Sequence, residues 1–386
     1  MKVVTVLISV AFSTLFSFAQ EEPQQINSLT KEQHPLEWYT NQYSLWKKEI
    51  KKDKKNGEAW VNLYTAARYS KYFAEDEQSK ETWATREADA LTDMSKAIKG
   101  TFDYYRILSW HVSIWNAKDK EEQDRNINYA LKAYELDPSN PDMYPILMNI
   151  YKIYKHDKEK LKEIAQRWKE SGDHTPNLKT LSYNALMNTK KNSILITGGD
   201  NDTYPLWVAQ HADEFRPDVH VWNIFLMTIP EYRNRIFSEI GIPKLEGENV
   251  EKSVIIEHIA KHKGEHLLYF FNKGVIAKDS TLYEKLYHVG LIYQYSEESF
   301  DNSALTVHHF ENKFLLDHVK YDFYQSKHPS LDRRHNYSYL PGLITLYKHY
   351  ELIENESKLE ETKEIIFRLG KDTPYFDEIK KELSLD

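Results

Sequence analysis

The 386-residue chain contains no cysteine, which excludes disulfides and thiolate metal centres and leaves no residue for lipid attachment at a leader cleavage site. Beyond its first nineteen residues it has no apolar run long enough to span a bilayer, so no transmembrane segment is expected in the mature chain. It has no excess of positive charge either. The formal net charge is −8, which argues against nucleic acid as a partner. No His-Glu-x-x-His, Gly-x-Ser-x-Gly or Walker pattern occurs, so no familiar motif marks an enzyme. A chain of this length buries a full core without covalent staples.

The first segment reads as an address. Lys2 supplies a positive start, and Val3 to Phe18 is interrupted only by Thr5, Ser9, Ser13, Thr14 and Ser17. Ala19 then precedes the polar Gln20-Glu21-Glu22-Pro23. A small residue closing a short apolar run is what signal peptidase requires. Residues 1–19 are therefore expected to be a cleaved signal peptide, and the mature protein to work in the periplasm, at the cell surface or in the medium. A retained anchor is the competing reading, but no basic stop-transfer cluster follows. Cleavage removes one lysine and no acid, leaving −9.

The 27 tyrosines and 9 tryptophans fall mostly at helical spacing, which marks them as packing residues before sugar-stacking platforms. Leu36, Tyr39, Tyr43, Trp46 and Ile50 step by three and four and define one helical stripe. Ala84, Ala88, Leu91 and Ile98 form another, and Tyr105, Leu108, Val112 and Trp115 predict a helix over 102–115. Asn56-Gly57 breaks the chain before Trp60, Leu63, Tyr64 and Ala67. Ile127, Ala130, Leu131 and Tyr134 end in Leu136-Asp137-Pro138-Ser139-Asn140-Pro141, and Tyr144, Leu147, Tyr151 and Tyr154 begin the next helix. This is similar to a tetratricopeptide-type hairpin. Stacked hairpins leave a concave face for a protein or peptide, or else serve only as support for the second half.

At 193 the period changes. Ile194 to Thr197 suits a buried strand, Gly198-Gly199-Asp200-Asn201-Asp202-Thr203 a loop, Tyr204 to Glu214 a helix, and Val219 to Asn223 a second strand. That order predicts a βαβ unit with parallel strands and a right-handed crossover. Leu267–Phe271 and Leu291–Tyr295 read as further strands, and Val250–Ala260 as a helix before them, giving three or four strands. Ala304–Tyr324, Leu340–Leu352, Leu359–Leu369 and Tyr375–Leu383 read as closing helices. The expected fold is mainly α with an inserted, small and mostly parallel α/β layer. The expected segments are a helical region at 20–190, an α/β region at 191–300 and helical hairpins at 301–386.

The block from Ile194 to Trp207, followed by Arg216-Pro217-Asp218-Val219-His220-Val221, resembles the soluble extracytoplasmic C-terminal region of bacterial protein O-mannosyltransferase-like membrane proteins. Leu286 to Tyr295 looks like a later strand of that region, entered from a helix. Glu311-Asn312-Lys313-Phe314 and Asp332-Arg333-Arg334 look like its later helices. The resemblance covers roughly 190–370, with Gly-Asp-Asn-Asp-Thr as its specific part. The family's transfer chemistry is assigned to a membrane-embedded half that has no counterpart here. The resemblance thus implies a shared soluble region without a shared reaction.

The candidate site is Gly198, Gly199, Asp200, Asn201, Asp202 and Thr203, because ligands of open α/β layers sit beyond the carboxyl ends of strands. The glycines allow close backbone approach, and a helix start offers free N–H groups. Asp200 and Asp202 suit a divalent cation or sugar hydroxyls, and Asp-x-Asp is also a glycosyltransferase pattern. The structural alternative makes Asp202 a helix N-cap, with Asp200 and Asn201 as turn residues. No cofactor is otherwise expected. Adjacent His308 and His309 diverge on a helix and cannot chelate together, and His211 follows the loop with either facing open. Asp332-Arg333-Arg334-His335 reads as a solvated loop or an anion contact. Two functions follow as expectations. One is a non-enzymatic interaction protein with a protein or peptide partner in the cell envelope. The other is a glycan- or sugar-nucleotide-binding accessory or enzyme using Asp200-Asn201-Asp202.

Overall fold

A computed structural model describes residues 22–115, 117–276, 281–321 and 324–384. The expected signal peptide lies outside these residues. Among them the chain forms α1 (Leu36–Lys52), α2 (Gly57–Phe73), α3 (Glu77–Ala97), α4 (Phe102–His111), α5 (Lys120–Leu136), α6 (Tyr144–Asn149), a π turn (Ile150–Lys155), α7 (Lys158–Ser171) and α8 (Pro176–Asn188). Next come β1 (Ile194–Thr197), α9 (Tyr204–Ala212), β2 (His220–Asn223), α10 (Pro230–Glu239), α11 (Lys252–His262), β3 (Leu268–Phe270), β4 (Leu286–His288) and β5 (Tyr293–Tyr295). The chain closes with α12 (Asn302–Asn312), α13 (Asp317–Lys320), α14 (Pro329–Tyr337), α15 (Leu340–Leu352), α16 (Glu356–Gly370) and α17 (Phe376–Glu382). The fold is mainly helical with a small mixed α/β unit. No described helix is long and apolar enough to cross a membrane.

Two compact units are distinguished. The first holds 34–107 with the stretch up to Asn27; the second holds 108–386 with 28–33. In the first unit, α2 packs on both α1 and α3. Asn56 and Asp76 start α2 and α3 by accepting from the N–H groups of Ala59 and Ser79. Tyr39, Tyr43, Trp46 and Ile50 are all buried, as their spacing requires. Ala66 and Ala67 are fully buried, so bulky rings can lie alongside α2. Tyr39 stacks on Phe73, and Tyr43 meets Trp83 edge-on. Glu87 is buried in this unit and pairs with Lys71.

The second unit is organised around a five-stranded sheet of order β2-β1-β3-β5-β4. Strand β1 is central to the parallel part, with Ile194 opposite His220 on one side and Leu268 on the other. Strands β3–β5 and β4–β5 pair antiparallel. One face presents Ile194, Ile196, Trp222, Leu268 and Phe270 to Tyr232, Ile236 and Phe237 of α10 and Ile255, Ile256 and Ile259 of α11. The other face meets α9, where Trp207 donates its indole N–H to the Val221 carbonyl, 3.1 Å away. Helix α9 packs in turn on α7 and α8. Helices on both faces explain why the parallel strands are apolar at nearly every position.

Several expectations are corrected. Helix α4 ends at His111, and Trp115 lies beyond it, 40 % exposed and packed on Tyr154. The helix begun at Tyr144 passes into the π turn, which ends at His156 in the left-handed region (φ 52°). The stretch 286–295, expected as one strand, is two: β4 is turned into β5 through Gly290 (φ +133°). The single helix expected over 304–324 is split into α12 and α13. Asn184 of α8 bonds both the N–H and the carbonyl of Leu315, drawing that residue out of helical geometry. The solvated loop expected at Asp332–His335 lies in α14. Asp332 is buried and accepts from Thr175 and from Tyr324.

Candidate functional site

The loop 198–203 leaves the carboxyl end of β1 and enters α9. From β1 the chain crosses to β2 on one side, while after β3 it proceeds to β4 and β5 on the other. The carboxyl ends of β1 and β3 therefore flank a topological switch point, where open α/β layers form their crevice.

Three side chains build the loop. Asp202 is buried, and its carboxylate accepts from the backbone N–H of Gly198 and of Gly199. It also accepts from Asn272, the second residue beyond β3, at 3.1 Å. Asn223, the last residue of β2, donates to the Thr203 hydroxyl at 2.9 Å and accepts from the N–H of Phe225 and Leu226. The Thr203 hydroxyl also bonds that of Thr197, 2.7 Å away. The ends of all three parallel strands are thus tied through Thr197, Asn223, Asn272 and the loop. Gly198 has a steric reason: a Cβ there would lie 2.5 Å from Val275 and 3.8 Å from the Phe225 ring.

This geometry corrects the N-cap reading of Asp202. Its carboxylate points back to Gly198 and Gly199, and α9 is started instead by the Asp200 carbonyl, which accepts from the N–H groups of Thr203 and Tyr204. Thr203 is buried and makes no side-chain cap. Asn201 donates to the carbonyl of Thr30 at 2.9 Å. Asp200 is different. Its side chain is exposed, and no described residue pairs with its carboxylate. Enough protein rings it for desolvation to push its pKa up. Burial pushes Asp202 further, to about 6, against the lowering effect of the two glycine amides. Asp202 thus closes the loop, while the Asp200 carboxylate stays free. Among the described residues no group of three or more acids and histidines is arranged to hold a metal ion.

Beside the loop stands Phe225, 54 % exposed, with the Lys252 ammonium 4.0 Å from its ring centre. Phe225, Asn223 and Asn272 belong to the rim and were not among the expected site residues. Their signal is faint: an amide at or just past a strand end, which no local pattern distinguishes from a turn residue. The histidines are resolved. His309 is buried against the Val289 carbonyl and Asn188, His308 is on the exposed side with Asn312, and His211 faces Lys152.

The fold and rim define an open mixed α/β unit with helices on both faces and a polar loop at its switch point. Residues 178–342, from α8 to the start of α15, match the family described as TMEM260-associated domain 2, a domain tied to a protein O-mannosyltransferase-like family. No curated protein matches the chain.

Proposed function

We propose that this is a non-enzymatic binding protein, exported from the cytoplasm, which serves an O-mannosyltransferase-like glycosylation system of the cell envelope and holds a glycan at the carboxyl rim of its sheet. The observation that carries this reading is that two exposed groups belong to this rim: Phe225, whose ring would lie 3.8 Å from a Cβ on Gly198, and Asp200, two residues past that glycine, whose carboxylate no described residue pairs with. An aromatic face and a free carboxylate on one rim suit a sugar, whose C–H surface stacks on the ring while its hydroxyls donate to the acid. Asp202 supports a binding role over catalysis by a metal-holding Asp-x-Asp, because its oxygens already accept three hydrogen bonds. Asp200 alone offers a divalent cation too few oxygens. The match over 178–342 supports the link to mannosyl transfer. The tetratricopeptide-like helices of the first half would engage the protein that carries the glycan.

The test is binding of the full chain to immobilised mannose-containing oligosaccharides, with Phe225→Ala and Asp200→Asn as variants. Each variant is expected to lose binding tenfold or more while melting within a few degrees of the parent. Binding that survives both substitutions, or its absence from the parent, overturns the reading. Loss of binding on chelation with EDTA would replace it with a cation-dependent site.

A further inference from the structure

A second concavity lies away from the rim, along the outer side of β2. It has a volume of about 410 Å³ and is walled by the π turn, α9, β2 and α10. That volume falls in the usual range of small-molecule sites. Among its lining residues are Lys152, Lys158 and Arg235, against the acids Asp157 and Glu239.

The π turn explains how a lysine comes to stand there. Widening the helix at 150–155 frees the Lys152 carbonyl, which accepts from the Arg235 guanidinium at 2.8 Å. The Lys152 ammonium lies 4.7 Å from the Trp207 ring centre and 3.3 Å from Nε2 of His211. Burial, then the ammonium itself, holds His211 down to about 3, so the ring is neutral and its Nε2 accepts. No described carboxylate is within ion-pairing distance of Lys152. Burial, then Arg235, lowers its pKa to about 8. Glu239 is already engaged by Arg235 at 3.1 Å. On the same wall, the fully buried hydroxyl of Tyr232 finds no partner among the described residues, and neither does Nε of Arg235.

A desolvated ammonium with no carboxylate in ion-pairing distance and only Glu239, already held by Arg235, acting on it from farther off, beside a buried hydroxyl and a guanidinium with donors to spare, is costly unless an acceptor arrives. We propose that this cleft binds a small molecule through an oxyanion, phosphate or carboxylate, seated among Lys152, Arg235 and Tyr232. The acceptor would take N–H and O–H donors that the protein leaves unmet, and its charge would compensate the ammonium. The apolar side chains and stems that line the cleft would cover the rest of the molecule.

The test is calorimetric titration of the full chain at pH 7 with three probes: inorganic phosphate, glucose 1-phosphate and glucuronate. Saturable binding of a phosphate probe or of the carboxylate probe at millimolar concentrations is expected, and the arm that responds names the anion. Lys152→Met keeps an apolar stem over Trp207 and removes the charge; it should weaken binding tenfold or more. Tyr232→Phe removes only a hydroxyl, is expected to fold, and should weaken binding severalfold. Phe225→Ala at the rim should leave the titration with inorganic phosphate, which has no ring to stack there, unchanged. The proposal is overturned if no probe binds the parent saturably, or if Lys152→Met and Tyr232→Phe bind as the parent does.

Discussion

The carboxylate of Asp202 accepts from the backbone N–H of Gly198, 3.1 Å away, so the loop after β1 closes on its own first glycine. The same side chain takes the N–H of Gly199 and the amide of Asn272. It links the ends of β1 and β3 across the switch point.

Asp202→Ala is therefore expected to strand three donors. The three bonds are only part-buried, and Gly199 and Asn272 are exposed, so water takes over much of what the carboxylate supplied. A net loss of about 1–2 kcal/mol in a urea titration is expected. A loss below about 0.5 kcal/mol would show that the loop holds without its carboxylate.

The two glycines should respond unequally. A Cβ on Gly198 would lie 2.5 Å from Val275, whereas one on Gly199 would meet only the Asp202 carboxylate, at 3.2 Å. Gly198→Ala should cost about 1–3 kcal/mol through overpacking. Gly199→Ala should cost less, and equal losses in denaturation would contradict this account.

Asn188 makes four buried hydrogen bonds, to the Val289 carbonyl, the His309 ring and the N–H groups of Leu291 and Ile292. They hold the tight β4–β5 turn against the end of α8. Asn188→Ala should destabilise the second unit by about 2–4 kcal/mol, since the two backbone donors become unsatisfied. Amide exchange should speed up first at Leu291 and Ile292; uniform acceleration across the sheet would count against a local role.

Acid should weaken the fold. Burial holds His174, His288, His309, His318 and His335 down to about 4, against an unfolded value near 6.5. Depressed histidines contribute stability that is fully present above about 6.5 and is lost as pH falls toward 4. Asp202, raised to about 6, works in the opposite sense and favours the fold as pH falls from 6 toward 4. Five groups outweigh one, so the melting temperature should drop between pH 6.5 and 4. His309→Gln should flatten that drop and Asp202→Asn should steepen it.

Much of the architecture was legible because its elements are long or strongly patterned. The stripe Tyr39, Tyr43, Trp46 and Ile50 marks α1, and the change of period at Ile194 marks β1. The loop 198–203 was legible as a candidate because glycines followed by acids after a buried strand form a local signal. That the strand expected over 286–295 is two was not, since three residues carry no period, and the place of β4 comes from pairing Leu286 with Tyr295. Nor was the rim, because Asn272 lies 70 residues from the aspartate it bonds. Asp332 in a charged run reads as solvated until Thr175 and Tyr324 are brought to it.

The sequence by itself determined the helical stripes, the order strand–loop–helix–strand and the absence of disulfides, because each follows from neighbours along the chain or from composition. Tertiary structure decided which aspartate closes the loop and which stays free, that Phe225 stands at the same rim, and that a π turn sets Lys152 beside His211. Those facts depend on partners distant in sequence and on burial, and only the packed chain supplies both.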